Sequence, residues 1–543
     1  MILIHHLLPV LVPIGVLVSL AHWLFCRFFW RHAIPATIPW AGSHDGKPLS
    51  QARAVIRSLF DTRGLLVDST ENNWSQYSQN GLPYVLPNLI QGPEVILPQT
   101  MVDWLLQQPD SVLDQNEVNR DFLQADFTML HPKVATDTVH GEVIKKVLTR
   151  RLGEFTGDVL EEVDFAFRSA WGVDTDDWKT ITAYDTMSEV ITRISNRVLV
   201  GLPLFCIRAT ANHPQGRNED YLYYSSRFAR FVILESAAIH LFPQFLRPFV
   251  APIVTLFDYR RYLRMAKHII PIWKRRTSAP MQDDKQKSDY VQWCLDFADD
   301  RRDPEERSSD MISKRLAALT FAAIQSSVIT STNLLFDLAA SDQTPELFNL
   351  IRKEVDLELE FENGAWNKNS LARMVTLDSA LRESMRLGGF VSRGILKTVA
   401  AKDGIKLPGP DGAHLPYGTK VGVHAYPVHY DEEIYPRAKE FDPLRFCLLT
   451  PEENIDEKTS KSGIRGIPLV NTSPIFMGFS HGRHACPGRF FATQQLKLVL
   501  AYVALNYEIF PIPVRPQNKW LIGSSGPPLD ATITIRRRKG TVA

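Results

Sequence analysis

Residues 310–340, "DMISKRLAALTFAAIQSSVITSTNLLFDLAA", contain neither proline nor glycine. No other stretch constrains the fold as strongly. An unbroken helix of that length reaches roughly 46 Å at 1.5 Å per residue and crosses a whole domain. Ser308 and Ser309 precede it as candidate caps. Gln325, Ser326 and Ser327 make its middle too polar for a bilayer, so the pattern predicts a buried central helix of a large domain. Thr344 and Pro345 predict the start of a second helix, with a threonine cap and a proline in its first turn. Strand patterns come late, as "GILKTVA", "TKVGVHAY" and "ATITIRR", with the turn-rich "LPGPDGAHLPYG" between the first two. The predicted class is mainly α with small β-sheets. A composition of 45% hydrophobic and 22% charged residues is enough to fill a sizeable core.

The N-terminus has a different character. Residues 7–25, "LLPVLVPIGVLVSLAHWLF", carry no Asp, Glu, Lys or Arg. As a helix they extend roughly 28 Å, close to the thickness of a bilayer core. Arg27, Arg31 and His32 follow directly, while Lys and Arg are absent before the run, which places the rest of the chain on the cytoplasmic side. A cleaved signal peptide would carry its charge in front. The two prolines of "IPATIPWAG", 34–42, then stop the helix and form a stiff hinge. Beyond it neither a repeat nor a change of composition divides the chain, so the expected partition is an anchor at 1–33 and one domain at 34–543.

A net charge of +1 supplies no electrostatic footprint for nucleic acid. Cys26, Cys206, Cys294, Cys447 and Cys486 are odd in number and lack CxxC spacing, which argues against a disulfide framework and a zinc site. Cys486 stands apart because of its surroundings, "FMGFSHGRHACPGRFFA", followed by apolar residues at helical spacing. The pattern puts it at a helix N-terminus, where backbone N–H groups and the helix dipole favour thiolate over thiol. Gly478, Gly482 and Gly488 let the backbone approach a flat ligand. A sulfur so placed suits a soft metal. A buried structural cysteine and a protease nucleophile are the alternatives, the second without a local signature.

Phe479, Gly482, Cys486 and Gly488 fit FxxGxxxCxG, the haem-binding loop of the cytochrome P-450 superfamily, and "GRHACPGRFFA" resembles its fungal microsomal form. The resemblance implies that Cys486 is the axial thiolate ligand of haem iron, with His484 and Arg483 near a propionate. "LRESMRL" holds Glu383 and Arg386 in the ExxR pattern, and Arg445 in "FDPLRF" takes the place of the arginine that joins that pair in the family. Arg393 in "FVSRG" and His140 in "VHGEVIKKVLT" are further propionate candidates on the same resemblance. The long helix becomes the distal one, with 160 residues separating Ser326 from Cys486. There the sequence departs from the family: instead of an acid followed by threonine it has Gln325 and Ser326, and Gln325 cannot ionise. Residues 205–216 look like an insertion relative to similar chains.

The resemblance implies a cytochrome P-450 fold preceded by one transmembrane helix, in a single-pass protein of the endoplasmic reticulum with its catalytic domain facing the cytosol. The implied activity is a haem b monooxygenase that oxidises a lipophilic secondary metabolite, of terpenoid, indole-diterpene or polyketide type. It would use O2 and electrons from NADPH through NADPH-cytochrome P-450 reductase. Three alternatives stand beside it: a haem-thiolate isomerase or dehydratase acting on a peroxide, an aromatic oxidative-coupling enzyme of the same superfamily, and a non-catalytic haem sensor.

Overall fold

The computed structural model describes residues 34–43, 50–67, 77–78, 80–201, 218–278, 289–390, 392–409, 412–449, 464–521 and 523–539. Of the expected anchor it describes only 13–15, 17, 18 and 21, all helical. The remainder of that segment and the suspected insertion at 205–216 lie outside the described residues.

In chain order, the elements that position the site begin with α1 (Ser50–Phe60), β1 (Tyr84–Leu86), β2 (Glu94–Ile96) and β3 (Leu113–Asp114). They continue with α2 (Val139–Val143), α3 (Thr156–Ala170), β4 (Lys179–Thr182), α4 (Ala183–Leu199), α5 (Glu219–His240), α6 (Arg247–Val254) and α7 (Leu256–Ser278). Next come α8 (Ser309–Ala339), α9 (Thr344–Phe361), α10 (Val375–Gly388), β5 (Arg393–Val399) and β6 (Lys420–His424). The chain closes with α11 (Arg489–Asn506), β7 (Tyr507–Ile509) and β8 (Thr532–Arg537).

Helix α8 is the central element the sequence predicts. The Ser308 hydroxyl caps it by accepting from Met311 N at 3.1 Å. It packs against α4, α5, α7, α10 and α11. By length and composition it passes for a membrane span, yet 61% of its most apolar window is buried in the domain. It is therefore a core helix. Thr344 does not cap α9 as expected: Gln343 takes that position, and the Thr344 hydroxyl donates instead to Leu338 O at 2.6 Å.

A five-stranded sheet runs in the order β1-β2-β6-β5-β3, with only β2 and β6 parallel. A three-stranded sheet runs β7-β8-β4. The late strands match the sequence pattern, whereas β1, β2 and β4, of three or four residues each, are too short to show a period of two. The loop predicted at "LPGPDGAHLPYG" also gains a short pairing, Leu415 with Ile405. The sheet has its own core of Val85, Val95, Ile395, Val421 and Val423, and Met477 from the cysteine loop inserts into it. Gly394 makes that possible, since a Cβ there would stand 2.3 Å from Met477 Sδ.

Candidate active site

Three residues from two separate segments meet in one network. Glu383 and Arg386 share a face of α10 and are fully buried, with Arg386 Nη2 donating to Glu383 Oε1 and Nε to Oε2, both at 2.8 Å. Arg445 Nε reaches the same Oε1 at 2.9 Å, and the Asp442 amide donates to it at 3.1 Å. The remaining Arg386 protons go to the carbonyls of Ala438, at 2.7 Å, and His429. Helix α10 has no cap of its own; Glu354 of α9 accepts the Val375 and Thr376 amides in place of one.

The network reaches the cysteine loop through two residues the sequence reading missed. His429 Nδ1 donates to Arg386 O at 3.2 Å, and its Nε2 accepts the Met477 amide at 3.2 Å. That pairing needs a neutral ring, and burial, reinforced by the Arg386 charge, pushes its pKa down to about 3. Arg382 stacks on Phe476, 3.6 Å from the ring centroid, and donates to Asn471 O at 2.7 Å.

Cys486 itself is tied back by its amide, which donates to Phe479 O at 2.9 Å. Gly482 turns the loop at φ +79°, and a Cβ there would lie 2.5 Å from Leu106. The helix begins later than expected: Gly488 is its N-cap and Pro487 lies outside it. Cys486 is half-buried as a residue, and the Gly488 and Arg489 amides hydrogen-bond to its sulfur. These donors and the Arg489 charge favour the thiolate, as expected, but burial outweighs them and raises the thiol pKa. A lone cysteine sulfur with two amide donors directed at it suits haem iron. Among the described residues no group of three or more His, Cys, Asp or Glu is arranged as an alternative metal site.

On α8 the expected distal face is open. Ala322 is exposed and Ser326 and Thr330 partly so, at a spacing of four, within a helix buried along most of its length. Ser326 Oγ donates to Ala322 O at 2.9 Å. Gln325 Nε2 donates to the hydroxyl of Tyr184, on α4, at 3.1 Å. Tyr184 carried no sequence signal, being 141 residues away.

Four further candidates have partners of their own in the fold. His484 and Arg483 both pair with Asp110, at 2.8 and 3.2 Å, which ties the cysteine loop to the segment after Gln107. His140 lies 3.5 Å from Arg315 Nη1, and burial together with that charge lowers its pKa to about 4. Arg393 pairs with Glu94 and Gln91. In each case a carboxylate or guanidinium close by in the fold claims the side chain.

The family profile described as Cytochrome P450 matches residues 133–530, well over half of the chain. The chain belongs to the cytochrome P450 family. A cytochrome P450 monooxygenase of Polytolypa hystricis, polB, is 31% identical over 517 residues, 94% of each chain. The monooxygenase astC of Aspergillus terreus is 29% identical, over 95% of this chain and 94% of its own. For pbrC of Penicillium brasilianum the figures are 29%, 97% and 96%. Like them, this P450 is a monooxygenase, and its family works with haem iron, a redox partner and a small-molecule substrate.

Proposed function

We propose that this P450 binds haem b through Cys486 and oxidises a lipophilic secondary metabolite, of terpenoid, indole-diterpene or polyketide type, with O2 and electrons from NADPH through NADPH-cytochrome P-450 reductase. The observation that carries this reading is the Cys486 loop, with the Gly488 and Arg489 amides directed at the sulfur and the Glu383–Arg386–Arg445 network joined to the loop through His429. Haem iron, when bound, supplies the oxygen-activating chemistry. This chain's residues hold and surround it: Phe479, Gly482 and Gly488 shape the loop, and the small residues Ala322 and Ser326 leave room on the opposite helix.

Proton delivery falls to Ser326. Its Oγ–H now rests on Ala322 O and has to rotate away to donate, while Gln325, held by Tyr184, positions the helix and donates no proton of its own. The lack of an acid at Gln325 is also what favours the second reading, a haem-thiolate enzyme that rearranges a peroxide without a reductase.

The membrane assignment draws on an exposed stripe at a spacing of four, Phe245, Phe249, Ile253 and Phe257, each more than 60% exposed, flanked by Arg260 and Arg264. Gly15 of the N-terminal helix lies beside Leu241, near the start of that stripe; a Cβ on it would stand 3.5 Å from Leu241 Cδ1. Both fit a domain resting on the cytosolic face of the endoplasmic reticulum.

The test uses full-length protein in membranes. The ferrous carbon monoxide complex should give the red-shifted Soret band of a thiolate ligand, and Cys486→Ala should abolish it. With reductase, NADPH consumption should accompany oxidation of lipophilic precursors; conversion of a hydroperoxide without NADPH would favour the second reading.

A further inference from the structure

Asp258, in the first turn of α7, is buried, and its two carboxylate oxygens are served differently. Oδ1 accepts from Arg261, whereas Oδ2 is enclosed and has no hydrogen-bond donor. Within hydrogen-bonding reach of this carboxylate stands a second buried acid, Glu235 of α5. Among the described residues Arg261 is the one cation whose charge bears on the pair. It also covers Phe231 of α5, with its Cζ 4.2 Å from the ring centroid. Charged groups on the elements packed around the two acids are engaged elsewhere. Asp310 of α8 takes Lys314 and Tyr262, and Arg315 of α8 takes Glu306. Arg247 of α6 lies 3.8 Å from Asp121, Arg230 of α5 lies 3.6 Å from Asp185 of α4, and Arg276 at the far end of α7 pairs with Asp289.

Two bare carboxylates cannot rest against each other there. Their charges would repel in a site largely withdrawn from water, and Oδ2 would remain without a donor. One proton removes both difficulties. Arg261 holds Asp258 in its ionised form, so the proton belongs on Glu235, whose O–H then donates to Asp258. Burial, with the facing Asp258 charge, pushes the Glu235 carboxyl far above the usual carboxylate range.

The pair closes the excursion of the chain through 236–257, which carries the apolar stripe Phe245, Phe249, Ile253 and Phe257. One to two turns beyond Glu235, Ala238 and Leu241 form the α5 wall of a cavity of about 290 Å³, whose other walls come from α1 and the five-stranded sheet. We propose that Glu235 and Asp258 share one proton and that this proton is a latch: it holds α5 against α7 and fixes the α5 wall of the cavity, and its loss to hydroxide sets two like charges against each other and releases the junction. Because the acid is raised in the fold, the latch is shut at neutral pH and opens as the solution turns alkaline, whereas an ordinary glutamate would already have lost its proton.

Two measurements on the full-length holoprotein in detergent test this. The infrared difference between parent and Glu235→Gln should show the C=O stretch of a protonated carboxylic acid at neutral pH, bleached at about pH 10. In an Asp258→Asn background the like charge is gone, and the same difference band should bleach at lower pH. Trypsin cleavage at Arg247 and Arg260 reads the junction itself, with Glu235→Gln, which keeps a donor and cannot ionise, as the reference at each pH. Parent and variant should be cut at equal rates at neutral pH, and the parent about tenfold faster at about pH 10. Absence of the acid band at neutral pH, a band that Asp258→Asn leaves unmoved, or a cleavage ratio that does not change with pH would overturn the proposal. Neither measurement involves oxidation of a substrate, so the outcome is separate from the monooxygenase reading.

Discussion

Two buried acids each bind an arginine in this enzyme, and the two clusters are finished differently. Around Glu383, the polar atoms of Arg386 and Arg445 find carboxylate or carbonyl partners, and the nearby His429 uses both ring nitrogens. Around Glu94, Arg393 and His424 each keep one buried polar atom without a partner, next to a cavity. The first arrangement is a brace in which Glu383, Arg386, Arg445 and His429 are satisfied without a ligand, with Arg382 Nε beside them left over. The second holds its strands together and leaves hydrogen-bonding capacity over.

The largest effect that would break this comparison is at Glu383. Glu383→Ala strands two guanidinium groups, one of them fully buried, at a cost on the order of 5 kcal/mol, comparable to the whole stability of many domains. Folded holoprotein should fail to accumulate, as read by haem content per polypeptide. Normal yield would reduce the brace to an ordinary ion pair.

The histidine of the brace predicts the next largest effect. The His429 pKa of about 3 lies below its unfolded value near 6.5, so the unfolded chain binds more protons between the two. Its contribution is fully present above pH 6.5 and is lost as pH falls towards 3, by several kcal/mol. Denaturant melts across that range should record the loss. In His429→Gln, which keeps a donor and an acceptor but cannot protonate, the slope should flatten.

A smaller cost is expected at the other acid. Glu94→Gln should destabilise by about 1–3 kcal/mol, less than any Glu383 change, because Arg393 keeps Gln91 and the adjoining cavity can admit water. Equal losses at the two acids, measured by denaturation, would erase the distinction drawn here. The smallest effect belongs to Tyr184→Phe, about 1 kcal/mol for one hydrogen bond, accompanied by less product per NADPH if Gln325 positions the distal helix.

How much of the site was legible depended on how local each signal was. Cys486 and its glycines, and the Glu383–Arg386 pair three apart on one helix, lie within short segments whose spacing alone fixes which side chains meet. Arg445 was placed through the family resemblance. The partners of Arg483, Arg393 and His140 could not be read in that way. In the fold they meet Asp110, Glu94 and Arg315, which lie between 175 and 373 positions away. Likewise Tyr184, His429 and Arg382 enter the site only because helices and loops remote in sequence pack together.

By itself the sequence determined the central helix, the helical class with small late strands, and that Glu383 and Arg386 share one helix face, because periodicity, caps and short spacings act within a few turns of chain; the brace with Arg445 and the role of the cysteine loop came through the family resemblance. Only the tertiary structure decided which charges neutralise one another, where the α11 helix starts relative to Cys486, and that two polar atoms beside a cavity remain unpaired. Long charged side chains take whatever partner burial brings within reach, and burial is a property of the packed whole.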